Sequence, residues 1–217
     1  MLNSTQTIFL DFSNLHVHNE FADIATDVLD MAISKVSNAY EGTNVEFVTT
    51  KPNSGDYSTL DINNIIEDSY LHFGDAEIDI VFDPNDDGVI RFDNIFDFSA
   101  ELHLPVENFA NLIAHNISHI SGHLMGLEHS TDPNSVMNKY VDPNNIDTPP
   151  FFSIDEVQSI NTNAVIANTD LEQVNEIRYE KGLEDFIEFE EKSYAPDEES
   201  NDLNDTEGDN ENLDLLT

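Results

Sequence analysis

The sequence predicts an α+β fold, in which a twisted mixed β-sheet of four to five strands packs with a crossover helix, a second long helix and a C-terminal helix. Two observations lead to this prediction. Four short segments of strand length lie within the first 82 residues, and a longer segment with helical spacing separates the first from the second. Two further segments with helical character lie between residues 106 and 163.

The elements of the first half follow from local patterns. Residues 7–12 form a short apolar run, which predicts a buried first strand. Apolar side chains then recur at intervals of three and four residues, which predicts an amphipathic helix over residues 20–40. Strands are predicted at residues 44–50, 57–62 and 77–82. Because a crossover helix joins parallel strands and short turns join antiparallel ones, the sheet is expected to be mixed.

Two helices are predicted after the sheet. The first covers residues 106–125 and begins directly after Pro105, because proline is tolerated at the start of a helix and not within it. The second opens at Ser153 and Glu156, which form a capping box, and extends to about residue 163.

The predicted organisation is a folded domain over residues 1–167, a helical extension over residues 168–194 and an acidic disordered tail over residues 195–217. The tail is expected to be disordered because it has little apolar area to offset the entropy of ordering. Acidity is not confined to the tail, since residues 1–170 carry −24 of the net charge of −38. A folded domain with such a charge repels itself and is stabilised by salt or bound cations.

Composition excludes several classes of function. With 7 Lys and Arg against 45 Asp and Glu, the chain lacks the cations that nucleic acids and anionic membrane surfaces require. No segment approaches the ~20 apolar residues of a membrane span. The absence of cysteine excludes disulfides, cysteine zinc sites and thiol nucleophiles. The first residues do not resemble a signal peptide, although the acidity favours an extracellular location, and a monomer is expected.

Four of the eight histidines lie within fifteen residues, at positions His115, His119, His123 and His129. His119 and His123 are four residues apart, so that on a helix they share a face. Gly126 suits the sharp end of that helix, because glycine adopts the left-handed conformation without steric penalty. The returning chain can then bring His129 to the same ion, and three imidazoles with an open water position form a catalytic zinc arrangement. For His115 an ordinary core or surface position is expected.

This segment resembles the metzincin zinc endopeptidases, and most closely their matrixin-like branch. Their motif is H-E-x-x-H-x-x-G-x-x-H, followed by a turn that contains methionine. Here the motif covers residues 119–129, Ser130 follows as is typical of the branch, and Met137 lies where the methionine turn is expected. The resemblance implies a zincin-like fold and hydrolysis of peptides or proteins by zinc-activated water, with Met137 packed beneath the metal. The zinc ligands that it implies are His119, His123 and His129.

One position departs from the motif. The residue after the first histidine is Ile120, where the family has the glutamate that acts as general base. Isoleucine neither accepts nor donates a proton, and a general base typically contributes about 10²–10⁴-fold to the rate. Starting the motif at His115 does not restore the glutamate, because Asn116 then occupies that position. The acids considered as a surrogate base are Glu128, Glu101 and Glu107. Glu128 is expected on the turn and directed away from the metal, and Glu101 and Glu107 are expected at the start of the metal helix, too far down its axis unless the chain folds back.

A second cation site is suggested by residues 83–94. Asp83, Asn85 and Asp87, followed by Gly88, have the spacing with which calcium loops present oxygen ligands around a sharp turn. The twelfth position is Asn94 instead of the usual bidentate glutamate, so that a lower calcium affinity is expected. The alternative interpretation is a solvated turn in an acidic protein.

Three functions follow from these patterns. The first is a zinc metallopeptidase-like domain whose catalysis is impaired by Ile120. The second is a pseudoprotease, which keeps the fold and the zinc and acts as a binding or regulatory module. The third is an acidic interaction protein stabilised by calcium, without zinc.

Overall fold

The computed structural model describes residues 5–19, 22–65, 73–76, 78, 83–139 and 146–167. In chain order, the elements within these residues are β1 (Gln6–Asp11), α1 (Ala25–Ala39), β2 (Val45–Val48), β3 (Ser58–Asn63), β4 (Gly74–Asp75), β5 (Asp87–Arg91), α2 (Phe92–Glu101), α3 (Val106–Leu124) and α4 (Ile154–Ala167).

The five strands form one mixed sheet in the order β2-β1-β3-β5-β4. The first four strands in this order are parallel, and β4 is antiparallel to β5. Helix α1 is the crossover between the parallel neighbours β1 and β2. The predicted α+β fold with a mixed sheet of four to five strands is therefore confirmed.

The core lies between the sheet and two helices. Helix α1 packs against α3, and α3 also contacts β3, β4 and β5. The helix α1 is amphipathic because its buried side chains recur every three or four residues. Side chains that are fully buried on the strands include Ile8, Leu10, Leu60 and Ile90. This packing fixes the position of α3, which carries the histidine segment.

The helix predictions agree with the structure to within a few residues. Helix α1 begins at Ala25 instead of residue 20, while residues 20 and 21 lie outside the described part. Helix α3 covers the predicted segment. The capping box of α4 is confirmed, because Ser153 N donates to Glu156 Oε2 at 2.6 Å and Glu156 N donates to Ser153 Oγ at 3.3 Å.

Helix α2 was not predicted, and it begins inside residues 83–94, the segment that was compared with a calcium loop. The structure places residues 87–91 in β5 and residues 92–101 in α2. Most of the predicted strand at 77–82 lies outside the described residues, as do the predicted helical extension and tail. In the part of the chain that is described, no helix is long and apolar enough to cross a membrane.

Candidate metal centre

The backbone around the end of α3 brings the histidine segment back on itself. Helix α3 ends at Leu124, and Gly126 adopts the left-handed conformation with φ of +73°. Gly126 N then donates to His123 O at 2.8 Å, and Leu127 N donates to Gly122 O at 2.9 Å. These two bonds form the Schellman motif, which satisfies the last carbonyls of a helix and reverses the chain. The predicted role of Gly126 as the helix terminator is therefore observed.

His119, His123 and His129 converge on one point. Their ring centroids lie 4.7, 5.3 and 4.8 Å apart, and one ligand nitrogen from each falls within 4.8 Å of the others. Within the described part of the chain, this is the one place where three histidine or carboxylate side chains converge in a way that can hold a metal ion.

Backbone carbonyls fix the orientation of two of the rings. His119 Nδ1 donates to Val136 O at 2.8 Å, and His123 Nδ1 donates to Leu127 O at 2.8 Å. Since a carbonyl only accepts, each Nδ1 carries the proton and each Nε2 presents a lone pair. The two Nε2 atoms lie 3.0 Å apart, an arrangement that suits a shared cation. Metal-binding histidines are commonly oriented by such second hydrogen bonds.

Desolvation lowers the pKa of all three imidazoles. Desolvation lowers the pKa of His119 to about 4, although its hydrogen bond to Val136 raises it in part. Desolvation is also the main cause that lowers the pKa of His123 and the pKa of His129, and the positive charge of Lys139 lowers the pKa of His129 further. A neutral imidazole is the form that binds a metal, so that the group is in its ligand state at neutral pH.

Met137 packs directly beneath the histidine helix. Its side chain is fully buried, and a Cβ added at Gly122 would lie only 2.3 Å from Met137 Sδ. The glycine in the helix interior therefore provides the space that the sulfur occupies. Ser130 N donates to Met137 O at 2.7 Å, and Met137 N donates to Ser135 Oγ at 3.0 Å, so that both sides of the methionine backbone are fixed.

Ile120 is a packing residue on the sheet side of α3. It is only 5% exposed, and its two γ carbons face glycines on two strands. A Cβ added to Gly74 would lie 3.0 Å from Ile120 Cγ1, and one added to Gly88 would lie 2.9 Å from Ile120 Cγ2. The side chain thus fills a space between α3 and the strands β4 and β5, and it also contributes to the wall of the cleft above the histidines.

The histidines open into a cleft of about 570 Å³. Strand β4, the last strand of the described sheet, forms one wall, and residues 133–139 together with 146–151 contribute to the other walls. Phe73, Phe98 and Ile120 supply apolar surface. The charged residues among the described lining are Asp75 and Lys139, and Asp75 forms an ion pair with Arg91.

The remaining predicted residues have other positions. His115 lines the cleft, and its Nε2 donates to Thr148 O at 3.0 Å, so that it lies beside the three histidines without joining them. Glu101 ends α2 instead of starting the metal helix, which corrects its predicted position. Glu107 is in the first turn of α3 and forms an ion pair with Lys35. Neither of these acids, nor the exposed Glu128, is among the described residues that line the cleft.

The predicted calcium residues form a turn followed by a strand. Asp83 Oδ1 accepts hydrogen bonds from Asn85 N at 2.9 Å and from Asn85 Nδ2 at 3.2 Å. Asp87 is the first residue of β5, and Asn94 is in α2. Calcium binding by Asp83, Asn85 and Asp87 stays a prediction.

Sequence reasoning missed several residues of this region. Gly122 could have been found, because a glycine in the interior of a helix usually has a packing reason. The cleft positions of Lys139 and Phe98 had no signal, since they depend on how distant segments meet.

Comparisons with known proteins bear on the family and on the fold. The sequence profile of the matrixin family matches residues 16–162. Similar solved structures include the archaemetzincin of Methanopyrus kandleri (18% identity, 75% of this chain and 96% of that chain, TM-score 0.46) and a zinc-dependent peptidase of Methanocorpusculum labreanum (13%, 71% and 99%, TM-score 0.50). Metalloproteinase-II of Bacteroides fragilis is also similar (14%, 75% and 54%, TM-score 0.44). None of the curated protein sequences matches the chain. The zincin-like fold implied by the resemblance is confirmed.

Proposed function

Because the matrixin profile matches more than half of its length, the chain belongs to the matrixin family, and on that premise we propose that it is a zinc-binding metallopeptidase-like domain with a strongly reduced capacity to hydrolyse peptide bonds. The proposed zinc ligands are His119, His123 and His129. The proposed cause of the reduced activity is Ile120, which occupies the position of the general base.

The observation that carries the proposal is the convergence of three neutral imidazoles, two of which are held in a fixed orientation by backbone carbonyls. Two Nδ1 atoms are held by backbone carbonyls, and the Nε2 atoms of His119 and His123 lie 3.0 Å apart. This donor set, all nitrogen and uncharged, suits zinc with one position left for water. When bound there, zinc supplies a Lewis acid and lowers the pKa of its water toward ~7.

The cleft suits a peptide in an extended conformation. In the described sheet β4 is the last strand, and its residues Gly74 and Asp75 line the cleft. An edge strand offers backbone hydrogen-bonding groups with which an extended peptide can pair. A peptide bound along β4 would lie beside the three histidines, which supports a peptide or protein as the ligand.

The side chain of Ile120 supports low activity. It is buried against Gly74 and Gly88, and no described carboxylate other than the ion-paired Asp75 lines the cleft. Among the imidazoles of the described lining, three are expected to be committed to the metal, and desolvation lowers the pKa of the fourth, His115. A proton taken from zinc-bound water therefore has no side-chain acceptor of ordinary basicity among the described lining residues. The loss of a general base typically lowers the rate about 10²–10⁴-fold.

The second candidate is a pseudoprotease that uses the same cleft for binding or regulation. It is favoured by the same observation, since Ile120 acts as a packing residue and leaves the histidine group intact. Calcium at Asp83, Asn85 and Asp87 is kept as a secondary proposal, which would offset part of the negative charge of the domain.

The test compares zinc content and peptide hydrolysis in the natural protein and in Ile120→Glu. We expect about one zinc per chain in both, and weak or undetectable hydrolysis of a mixed peptide library by the natural protein. The Ile120→Glu variant is expected to hydrolyse peptides at least about tenfold faster, because the restored carboxylate can accept the proton.

Two control variants separate the possible causes. Ile120→Gln has a side chain of similar size without basicity and should stay inactive, whereas His123→Ala should lose zinc. A chain without zinc after expression in zinc-replete medium would refute the metal assignment. Rapid hydrolysis by the natural protein that His123→Ala abolishes would refute the proposed impairment and indicate another base.

A further inference from the structure

Resting on the proposed zinc site, we propose that Glu156, on α4, is a positioning residue for His119. It acts through Ser135 and through the peptide unit that joins Val136 to Met137. The carboxylate fixes the direction in which the His119 ring points, and its negative charge makes that ring a stronger metal ligand.

The two oxygens of the Glu156 carboxylate have different partners. Oε2 accepts from Ser153 N at 2.6 Å, which is the capping-box bond at the start of α4. Oε1 accepts from Ser135 Oγ, also at 2.6 Å, and Ser135 lies 21 residues earlier in the chain, in the methionine turn. Hydrogen bonds to an ionised carboxylate are shorter and stronger than those between neutral groups. The helix cap accounts for the bond to Ser153 and not for the bond to Ser135, so that Glu156 has a contact beyond the needs of α4.

Ser135 passes this contact to the backbone. Its hydroxyl has one proton, and because a carboxylate only accepts, that proton is donated to Glu156. The same oxygen accepts a hydrogen bond from Met137 N at 3.0 Å. Ser135 is 4% exposed, so that water has little access to replace either bond. The Met137 N–H group is thus connected to the carboxylate by one buried hydroxyl.

A single peptide unit connects this N–H group to His119. The Met137 N–H and the Val136 C=O belong to the same planar trans peptide, so that they point in opposite directions and turn together. Val136 O accepts from His119 Nδ1 at 2.8 Å. The bond from Met137 N to Ser135 therefore sets the direction of the carbonyl that orients His119.

These bonds form a relay from His119 to Glu156, in which every group donates in the same direction. The imidazole donates to the carbonyl, the peptide N–H donates to the hydroxyl, and the hydroxyl donates to the carboxylate. Hydrogen bonds in such a chain polarise and strengthen one another. A carboxylate that accepts directly from a metal-binding imidazole raises the basicity of the ligand nitrogen. Here a peptide unit and a hydroxyl lie between the two groups, so that the same effect is expected in weaker form.

Two serine variants separate the relay from the helix cap. Ser135→Ala removes the hydroxyl of the relay and leaves the capping bond from Ser153 N. Ser153→Ala removes the hydroxyl that accepts from Glu156 N at 3.3 Å and leaves the relay. Zinc affinity of the full chain is measured by competition with a chromophoric chelator at about pH 8, where carboxylates are ionised. We expect Ser135→Ala to weaken zinc binding about threefold to tenfold, and Ser153→Ala to change it less than about twofold.

A third variant removes the charge and keeps the size of the side chain. Glu156→Gln should weaken zinc binding to about the same extent as Ser135→Ala, because a neutral amide polarises the relay less. If Ser135→Ala does not fold, Glu156→Gln supplies the same comparison with Ser153→Ala.

Nuclear magnetic resonance of the metal-free protein, with isotope-labelled histidine, tests the relay without zinc. The proton on His119 Nδ1 should move upfield in Ser135→Ala and in Glu156→Gln, because its hydrogen bond becomes weaker. His123 Nδ1 donates to Leu127 O at 2.8 Å and is not part of the relay, so that its proton should stay in place. Ser153→Ala should move neither proton.

The outcomes separate the role of Glu156 from the zinc site. In a chain that holds zinc, equal effects of the two serine variants on zinc affinity, or unchanged affinity in Ser135→Ala and Glu156→Gln, would overturn the role of Glu156 and leave the zinc site standing. A natural protein that holds no zinc would refute the zinc site itself. In that case a shift confined to the His119 proton would support the relay, and an unchanged His119 proton would overturn it.

Discussion

The contact between Ile120 and Gly88 predicts strong energetic coupling between α3 and β5. A Cβ added to Gly88 would lie 2.9 Å from Ile120 Cγ2 and 3.0 Å from Leu60 Cδ1, whereas carbon atoms pack optimally at about 3.5–4.0 Å. The substitution Gly88→Ala therefore overpacks this contact, at an expected cost of about 1–3 kcal/mol. Ile120→Ala removes a side chain that is 5% exposed, at an expected cost of about 2–4 kcal/mol.

The double variant should be more stable than the sum of the two losses predicts. Removal of Cγ2 from position 120 provides the space that the new methyl group at position 88 needs. The steric overlap caused by Gly88→Ala and the cavity caused by Ile120→Ala are therefore both smaller in the double variant. We expect a favourable coupling of about 1–2 kcal/mol. The contact with Leu60 remains, which is why the coupling should not cancel the full cost of either substitution.

The assay is urea unfolding of all four proteins in the presence of a chelator, so that metal binding does not contribute. Ile117→Ala provides the control. Ile117 is also buried on α3, but none of its atoms is among the three nearest to a Cβ built at Gly88. It should combine additively with Gly88→Ala. A coupling below about 0.5 kcal/mol for Ile120, or an equal coupling for Ile117, would refute the role of Ile120 as the residue that fills this space.

Two further predictions concern the histidines and the capping box. The pKa of His119 is about 4 in the folded protein against an ordinary 6.5, so the unfolded chain binds more protons between these values. The free energy of unfolding of the metal-free protein is therefore highest above pH 6.5 and decreases as the pH drops toward 4. The expected decrease between about pH 8 and 5.5 is about 1 kcal/mol. Urea unfolding should show this loss relative to His119→Gln, and an identical pH dependence of the two proteins would contradict it. Glu156 accepts from Ser153 N and from Ser135 Oγ, both at 2.6 Å, so Glu156→Ala should cost about 2 kcal/mol. The control is Asp155→Ala, which changes the neighbouring exposed acid. Equal losses of stability in thermal unfolding for the two variants would argue against a stabilising role of the two hydrogen bonds of Glu156.

The elements with strong periodicity were predictable from the sequence. Helices α1, α3 and α4 have apolar spacing or a capping box in the sequence. The structure contains the corresponding helices and the capping-box hydrogen bond. Helix α2 was missed because Asp83, Asn85 and Asp87 suggested a loop that continues to residue 94. Strand β4 has only two residues, which is too short for an alternating pattern to appear.

The histidine group was predictable because its members are close in the sequence. The contacts that surround it were not, since they join distant segments: Ile120 meets Gly74 and Gly88, and Glu156 meets Ser135. The sequence identified Ile120 as a missing base, and the structure adds that it packs against two strands. Nothing in a local pattern predicts that second role, because it depends on which residues the sheet presents to α3.

The histidine group also differs from the sheet in how far apart its parts lie along the chain. The three histidines, the carbonyl groups of Leu127 and Val136, and Met137 all come from residues 119–137. In the sheet, by contrast, Ile8 pairs with Ser58, which is fifty residues away. Closing a short loop costs less entropy than closing a long one, so the histidine segment can form before the strands pair.

A metal ion could therefore be captured by a chain that is still largely unfolded. Binding to the unfolded chain reduces the equilibrium stability that the ion adds, because both states then bind it. The ion would instead act on the order of folding, by fixing the end of α3 and the methionine turn before the slower parallel sheet assembles around them.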